Sequence, residues 1–225
     1  MGKKKRYSRS SNGKQISKSP SSRSASKPLA GIAGVRILHA ATRWQEDMDV
    51  YLDGKRMVRR LPYGAMTNYV SIHSGDSYLQ MTRNQTEGTV VSQILSVRNG
   101  RLCTLALIDS EDVSKKNPKL ITIPDHAENQ EEEMGQIRFV HLHSQGSNVD
   151  LVANNRVIFN NIPFTHLTPY VPIHPKRLEL KVQVTGMMNT DHESIILPLF
   201  SKDVVTVFYL GDVEQGDRLL LVHDR

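Results

Sequence analysis

Residues 67–73 read Thr67-Asn68-Tyr69-Val70-Ser71-Ile72-His73, and residues 168–174 read Thr168-Pro169-Tyr170-Val171-Pro172-Ile173-His174, with five of the seven positions identical. Outward from this block the likeness continues on both sides. Val35-Arg36-Ile37-Leu38-His39 returns as Ile137-Arg138-Phe139-Val140-His141, and Met48-Asp49-Val50-Tyr51-Leu52-Asp53-Gly54 as Val149-Asp150-Leu151-Val152-Ala153-Asn154-Asn155. Leu61-Pro62-Tyr63 returns as Ile162-Pro163-Phe164, Cys103–Ile108 as Val205–Leu210, and Leu120–Ile123 as Leu219–Val222. Matches that keep one order along both halves are the mark of a duplication, and such a repeat decides the architecture before any single element is read.

The chain then divides into a Ser/Lys/Arg-rich tail (1–34), a first module (35–126), an acidic linker (127–135) and a second module (136–225). Within each module the periodicity is that of strands. Met48, Val50 and Leu52 alternate with Asp49, Tyr51 and Asp53, the two-residue period of a half-buried strand. Asp53-Gly54 predicts a two-residue hairpin turn, because both central residues of that turn take positive φ; Asn154-Asn155 meets the same demand less comfortably. Further strands are predicted around 35–39, 56–60, 69–72, 77–82, 89–97, 102–108 and 120–123, with counterparts in the second copy. Many short strands at regular spacing, without a convincing helical segment, imply an all-β fold: two tandem antiparallel β-sandwiches, immunoglobulin-like in general form, behind a disordered basic tail.

Charge is segregated along the chain. Lys3, Lys4, Lys5, Arg6, Arg9, Lys14, Lys18, Arg23 and Lys27 give residues 1–34 a charge of +9 with no acid, out of a chain total of +6, which leaves the remainder at −3. A segment of Ser, Lys and Arg buries nothing that could offset its ordering entropy, so the tail is expected to be disordered when free. Those nine cations are the candidate polyanion-binding residues, able to grip nucleic acid or an anionic polymer by charge alone, or else to serve as a spacing arm. The linker sequence Glu128-Asn129-Gln130-Glu131-Glu132-Glu133 reads as solvated.

The basic start is not followed by the apolar run of a signal peptide, and no stretch approaches the ~18–20 apolar residues of a membrane span. The expected address is the cytoplasm, or a spore or envelope layer assembled from it. Cys103 is the one cysteine; in its apolar run it is expected to be a buried, inert thiol.

His39 with Asp49 and His73, echoed by His141, Asp150 and His174, is the one constellation that could hold a metal or act as base and orienter, provided the side chains converge. Their spacing is not that of close metal ligands. The preferred expectation is structural: the aspartates bond backbone amides where a strand begins, and the histidines satisfy buried polar groups. No phosphate-cradling loop, nucleophile elbow or paired catalytic carboxylates are present in the sequence, so neither catalysis nor a cofactor is expected. Trp44, in the loop after the first strand, is a candidate partner contact or a cover over its own module.

The pattern Val/Ile-Arg-x-x-His, then Val-Asp-Val-Tyr-Leu-Asp-Gly, then Leu-Pro-Tyr-Gly and a following Tyr-x-x-Ile resembles the bacterial family known as domain of unknown function 4397. The resemblance covers residues 35–123 and 137–223. It implies a β-sandwich module, often in tandem in exported or surface-associated bacterial proteins and without an established activity. Two features depart from it: the exporting leader is missing, and the loop after the first histidine is replaced by residues 40–47 and 142–148. The function expected from all of this is a non-catalytic structural or interaction protein of a bacterial envelope or spore layer, with other proteins or anionic polymers as partners. The alternative is a cytoplasmic nucleic-acid binder acting through the tail.

Overall fold

The computed structural model describes residues 31–84, 88–112, 117–125, 132–144, 147–187, 194–211 and 216–224. The nine tail cations and most of the acidic linker lie outside the described residues.

Eight strands build the first module: β1 (Ile32–His39), β2 (Met48–Leu52), β3 (Lys55–Leu61), β4 (Val70–His73), β5 (Gly75–Arg83), β6 (Thr89–Val97), β7 (Leu102–Ile108) and β8 (Lys119–Pro124). Eight more build the second: β9 (Gly135–His141), β10 (Val149–Ala153), β11 (Arg156–Ile162), β12 (Val171–Ile173), β13 (Lys176–Val184), β14 (Ile195–Leu199), β15 (Val204–Leu210) and β16 (Arg218–His223). The first module folds into sheets ordered β4-β1-β7-β8 and β3-β2-β5-β6, and the second into β12-β9-β15-β16 and β11-β10-β13-β14. The two halves therefore share one topology, strand for strand, as the duplicated sequence requires.

Two details depart from the sequence reading. β1 starts at Ile32 and β9 at Gly135, so residues 32–34 belong to the first module rather than to the tail. Each sandwich also contains one parallel pair, β1 with β7 and β9 with β15. Parallel neighbours need a long crossover, and the strands of the opposite sheet supply it.

The hairpins form where the turn residues place them. Asp53 and Gly54 take φ of 49° and 77°, Asn154 and Asn155 take 48° and 61°, and β2 pairs with β3 as β10 does with β11. In the sheets that face away from the neighbouring module β5 and β13 alternate buried with less buried residues, whereas β10 is buried along its length. β1, β7, β9 and β15 do not alternate; almost every residue in them is buried. Burial on both faces of a strand needs a layer on each side, and three core clusters provide those layers.

Val35, Ile37, Cys103, Leu105 and Leu107 point into the first sandwich with Met48, Val50, Leu79 and Met81. Ile137, Phe139, Val205, Val207 and Tyr209 point into the second with Leu151, Leu178 and Leu180. The other face of the same strands, Leu38, Ala106 and Ile108 from one module and Val140, Leu142, Phe208 and Leu210 from the other, forms a third core between the modules. The sheets β4-β1-β7-β8 and β12-β9-β15-β16 thus pack against each other, and the molecule is four sheets deep.

Candidate functional site

The most chemically loaded place in the fold lies inside that third core. Arg36 and Thr104 face each other across β1 and β7, and Arg138 and Thr206 across β9 and β15, on the faces turned toward the other module. Asp125 follows β8 and Asp224 follows β16, which brings one carboxylate of each module to the same plane. Each arginine donates from Nε to the threonine of its own sheet at 2.7 Å. Each then reaches the aspartate of the other module: Arg138 Nη2 donates to Asp125 Oδ1 at 2.8 Å, and Arg36 Nη2 donates to Asp224 Oδ1. The arginines also lie 3.3 Å and 3.8 Å from the aspartates of their own modules.

Hydroxyls close the remaining valences. Tyr69 and Thr104 both donate to Asp125 Oδ2, at 2.8 Å and 2.6 Å. Tyr170 donates to Asp224 Oδ2 at 2.6 Å, as does Thr206. The guanidinium of Arg36 stacks over the Tyr69 ring at 4.7 Å, that of Arg138 over Tyr170 at 4.5 Å. The result is a neutral cage of two arginines, two aspartates, two threonines and two tyrosines. The charged side chains are no more than 4% exposed. Burial alone would lower the Arg36 guanidinium, but Asp125 and Asp224 overcome it and raise its pKa. Burial, and after it the carboxylates, push the tyrosine phenols far up, so both phenols keep their protons as donors to the aspartates. Desolvated pairs of this kind are held by hydrogen bonds to every partner rather than by charge alone.

The cage opens on one side to a groove of about 380 Å³ lined by Arg36, Met66, Thr67, Asn68, Tyr69, Val222 and His223. A second polar contact sits elsewhere on the same interface. Asp109, 2% exposed, accepts from Ser144 Oγ of the other module at 2.7 Å and from the Arg43 backbone N–H at 3.2 Å. At the corresponding position of the second module stands Gly211, and the space is taken by the His143 ring, which a Cβ there would meet at 1.8 Å.

The sequence constellation of histidines and aspartates does not converge. His39 and His141 are fully buried. His39 Nε2 lies 3.2 Å from the Glu46 carbonyl and His141 Nδ1 lies 2.9 Å from that of Ile162, so one ring holds the loop before β2 and the other the end of β11. Burial holds both imidazoles below their ordinary value. Asp49 Oδ1 accepts the Arg60 N–H, and Asp150 Oδ1 accepts the Asn161 N–H, each at 2.8 Å. Arg60 and Asn161 both take φ of 54°, inside the register shifts of the β2–β3 and β10–β11 pairs; the aspartates pin bulged edge strands. His73 and His174 end up exposed, near the rims of their sandwiches. Among the described residues no group of three His, Cys, Asp or Glu is placed to hold a metal ion. Cys103 is 5% exposed, and burial pushes its thiol up to about 11. Trp44 is half-buried against the first core with the Arg83 guanidinium 4.6 Å over its ring.

One family description matches the chain twice, over residues 33–152 and 135–225: a domain of unknown function, DUF4397. This chain belongs to the DUF4397 family. Its two DUF4397 modules are the two sandwiches, and the residues of the repeated motif now have places in them. The motif arginine is the cage arginine, the motif histidine a buried loop anchor, the motif aspartate the bulge pin and the motif tyrosine the cage phenol. No curated protein matches the chain. No helix among the described residues is long and apolar enough to cross a membrane.

Sequence reasoning passed over the cage. The signal was available: Arg36 and Arg138 stand at one position inside otherwise apolar strands of both copies, and Thr104 and Thr206 do the same.

Proposed function

We propose that this DUF4397 protein is a non-catalytic structural or interaction protein of a bacterial envelope or spore layer, with the paired sandwiches as a rigid scaffold and the basic N-terminal segment as an electrostatic tether. The observation that carries this reading is the cage. The recurring arginines and the aspartates, threonines and tyrosines around them spend their hydrogen-bonding capacity on holding two sheets together, which suits a part that bears load or spaces partners. The +9 charge of residues 1–34 supports attachment to an anionic polymer or an acidic protein of such a layer. The same charge favours a second reading, a cytoplasmic nucleic-acid binder.

A fluorescent fusion followed through growth and sporulation tests the address, with a variant lacking residues 2–27 beside it. The expected outcome is a signal at the envelope or the spore layer that weakens on deletion. A signal that follows nucleic acid, and that the same deletion disperses at physiological salt, selects the second reading instead. Turnover of a small substrate that is lost in a folded His39→Gln/His141→Gln variant would remove both.

A further inference from the structure

Each module leaves two strands at the edges of its outward sheet, and an edge strand offers unpaired N–H and C=O groups to any other chain. Three of these four edges are blunted. β3 carries Lys55, Arg56, Arg59 and Arg60 and a bulge. β11 is bulged as well, with Asn161 at positive φ, and β14 is five residues long with Pro198 in it. The fourth, β6, is nine residues of Thr89-Val90-Val91-Ser92-Gln93-Ile94-Leu95-Ser96-Val97 with no charge and no proline; its one irregularity against β5 falls at the Val90 end, and Val91–Val97 pair without a break. It pairs with β5 on one side, and among the described residues no strand pairs with the other. Its outward face carries Ile94, 67% exposed, directly opposite Tyr78, 45% exposed.

We propose that β6 is a self-association edge and that its partner is β6 of a second copy of this chain, paired antiparallel about a two-fold axis through Gln93. In that register core-side Val91 meets Leu95 of the other copy and solvent-side Ser92 meets Ile94. The two Gln93 side chains meet at the axis, where their amides can bond each other. Two uncharged strands meet without like-charge opposition, and the Tyr78–Ile94 patches of the copies become continuous. β3, the other edge of the same sheet, presents four cations, so head-to-tail stacking of sheets is opposed and the contact closes as a dimer instead of growing into a fibre. A strand pair of this length falls at the small end of interface areas, so the dimer is a reversible one. This holds whether or not the chain serves as a scaffold.

Sedimentation velocity of the full chain over a dilution series is the test. The expected result is a shift from dimer to monomer on dilution. A Ser92→Lys/Ile94→Lys variant sets like charges across the axis at exposed positions that folding tolerates, and is expected to weaken the dimer by roughly tenfold or more. Ile196→Lys, on β14, leaves it unchanged. Gln93→Cys is expected to link covalently under oxidation, since facing residues of antiparallel strands stand about 4.5–5.5 Å apart at Cα and a disulfide spans about that distance; Cys103 is buried and does not compete. A chain that stays monomeric at the highest concentration overturns the proposal. So does a dimer that survives the double lysine change in a variant with unaltered circular dichroism, or one that fails to link through residue 93.

Discussion

Asp150 accepts three hydrogen bonds, from the Asn161 N–H, from Thr185 Oγ1 at 2.7 Å and from Gln183 Nε2 at 3.3 Å. Asp49 accepts one from the Arg60 N–H and a longer one at 3.5 Å from Arg56, a half-exposed side chain. Truncation leaves these part-buried donors without their acceptor, and hydrogen bonds to a charged group are worth about 1.5–3 kcal/mol. Asp150→Ala is therefore expected to lower stability in urea titrations by that amount, and Asp49→Ala by less, because its second partner reaches water. Burial works against the Asp150 carboxylate, but the Asn161, Thr185 and Gln183 bonds overcome it and hold its pKa below the ordinary value. Its contribution is thus present above the ordinary carboxyl range and lost as pH falls through the depressed one. The buried histidines add a second, separate window. Folding holds His39 and His141 below the ordinary 6.5, so between that value and the folded one the unfolded chain binds protons that the folded chain does not. Stability is whole above pH 6.5 and declines as pH drops through the window. A His39→Gln/His141→Gln variant is expected to show a flatter stability profile below pH 6.5 than the natural chain; equal slopes would mean that other groups set it.

Hairpin and strand patterns show which elements the sequence announces. The β2–β3 turn was legible because Asp53-Gly54 satisfies a backbone demand that few residue pairs meet, and Asn154-Asn155 satisfies it at a cost. At φ of 61° Asn155 carries the Cβ penalty that glycine lacks. Asn155→Gly is expected to raise the thermal stability of the second module by about 0.5–1 kcal/mol, and Gly54→Ala, at φ of 77°, to lower that of the first by about 1 kcal/mol. β2 was readable from the alternation of Met48, Val50 and Leu52 with polar neighbours, although Asp49 on its other face is itself buried. β7 and β15 read only as unbroken apolar runs, Leu102–Ile108 and Val204–Leu210. Such runs state that both faces are covered without saying by what. The covering layer is another sheet a hundred residues away in the chain, and local periodicity holds no term for it. The start of β1 was misplaced for a related reason: Ile32-Ala33-Gly34 looks like the end of a polar tail, whereas its strand character comes from pairing with His73, Ile72 and Ser71 on β4.

At the scale of the whole molecule the decisive term is the coupling between modules, and the cage sets it. Its charges are buried, so salt screens them poorly, and adding salt is expected to change the melting temperature of the natural chain little. Removing one arginine is a different perturbation. In Arg138→Ala the guanidinium that touches Asp125, Asp224 and the Pro124 carbonyl is gone, and a buried carboxylate is left with one cation where it had two. Breaking a buried pair in this way costs about 3–5 kcal/mol; here the lost bonds to Asp125 and the Pro124 carbonyl fall between the sandwiches, while the Thr206 bond and the stacking on Tyr170 are lost within the second one. The natural chain is therefore expected to unfold in a single calorimetric transition, with the apolar third core and the cage making two modules one cooperative unit. In Arg36→Ala/Arg138→Ala that transition is expected to split in two, each with the heat of one sandwich. The lower one should move up again when Asp125→Asn and Asp224→Asn are added, because the uncompensated charges are then removed and the tyrosine and threonine hydroxyls keep an acceptor. A single transition that merely shifts downward in the double arginine variant would show that the apolar contacts of Phe208, Leu142 and Leu38 couple the modules on their own.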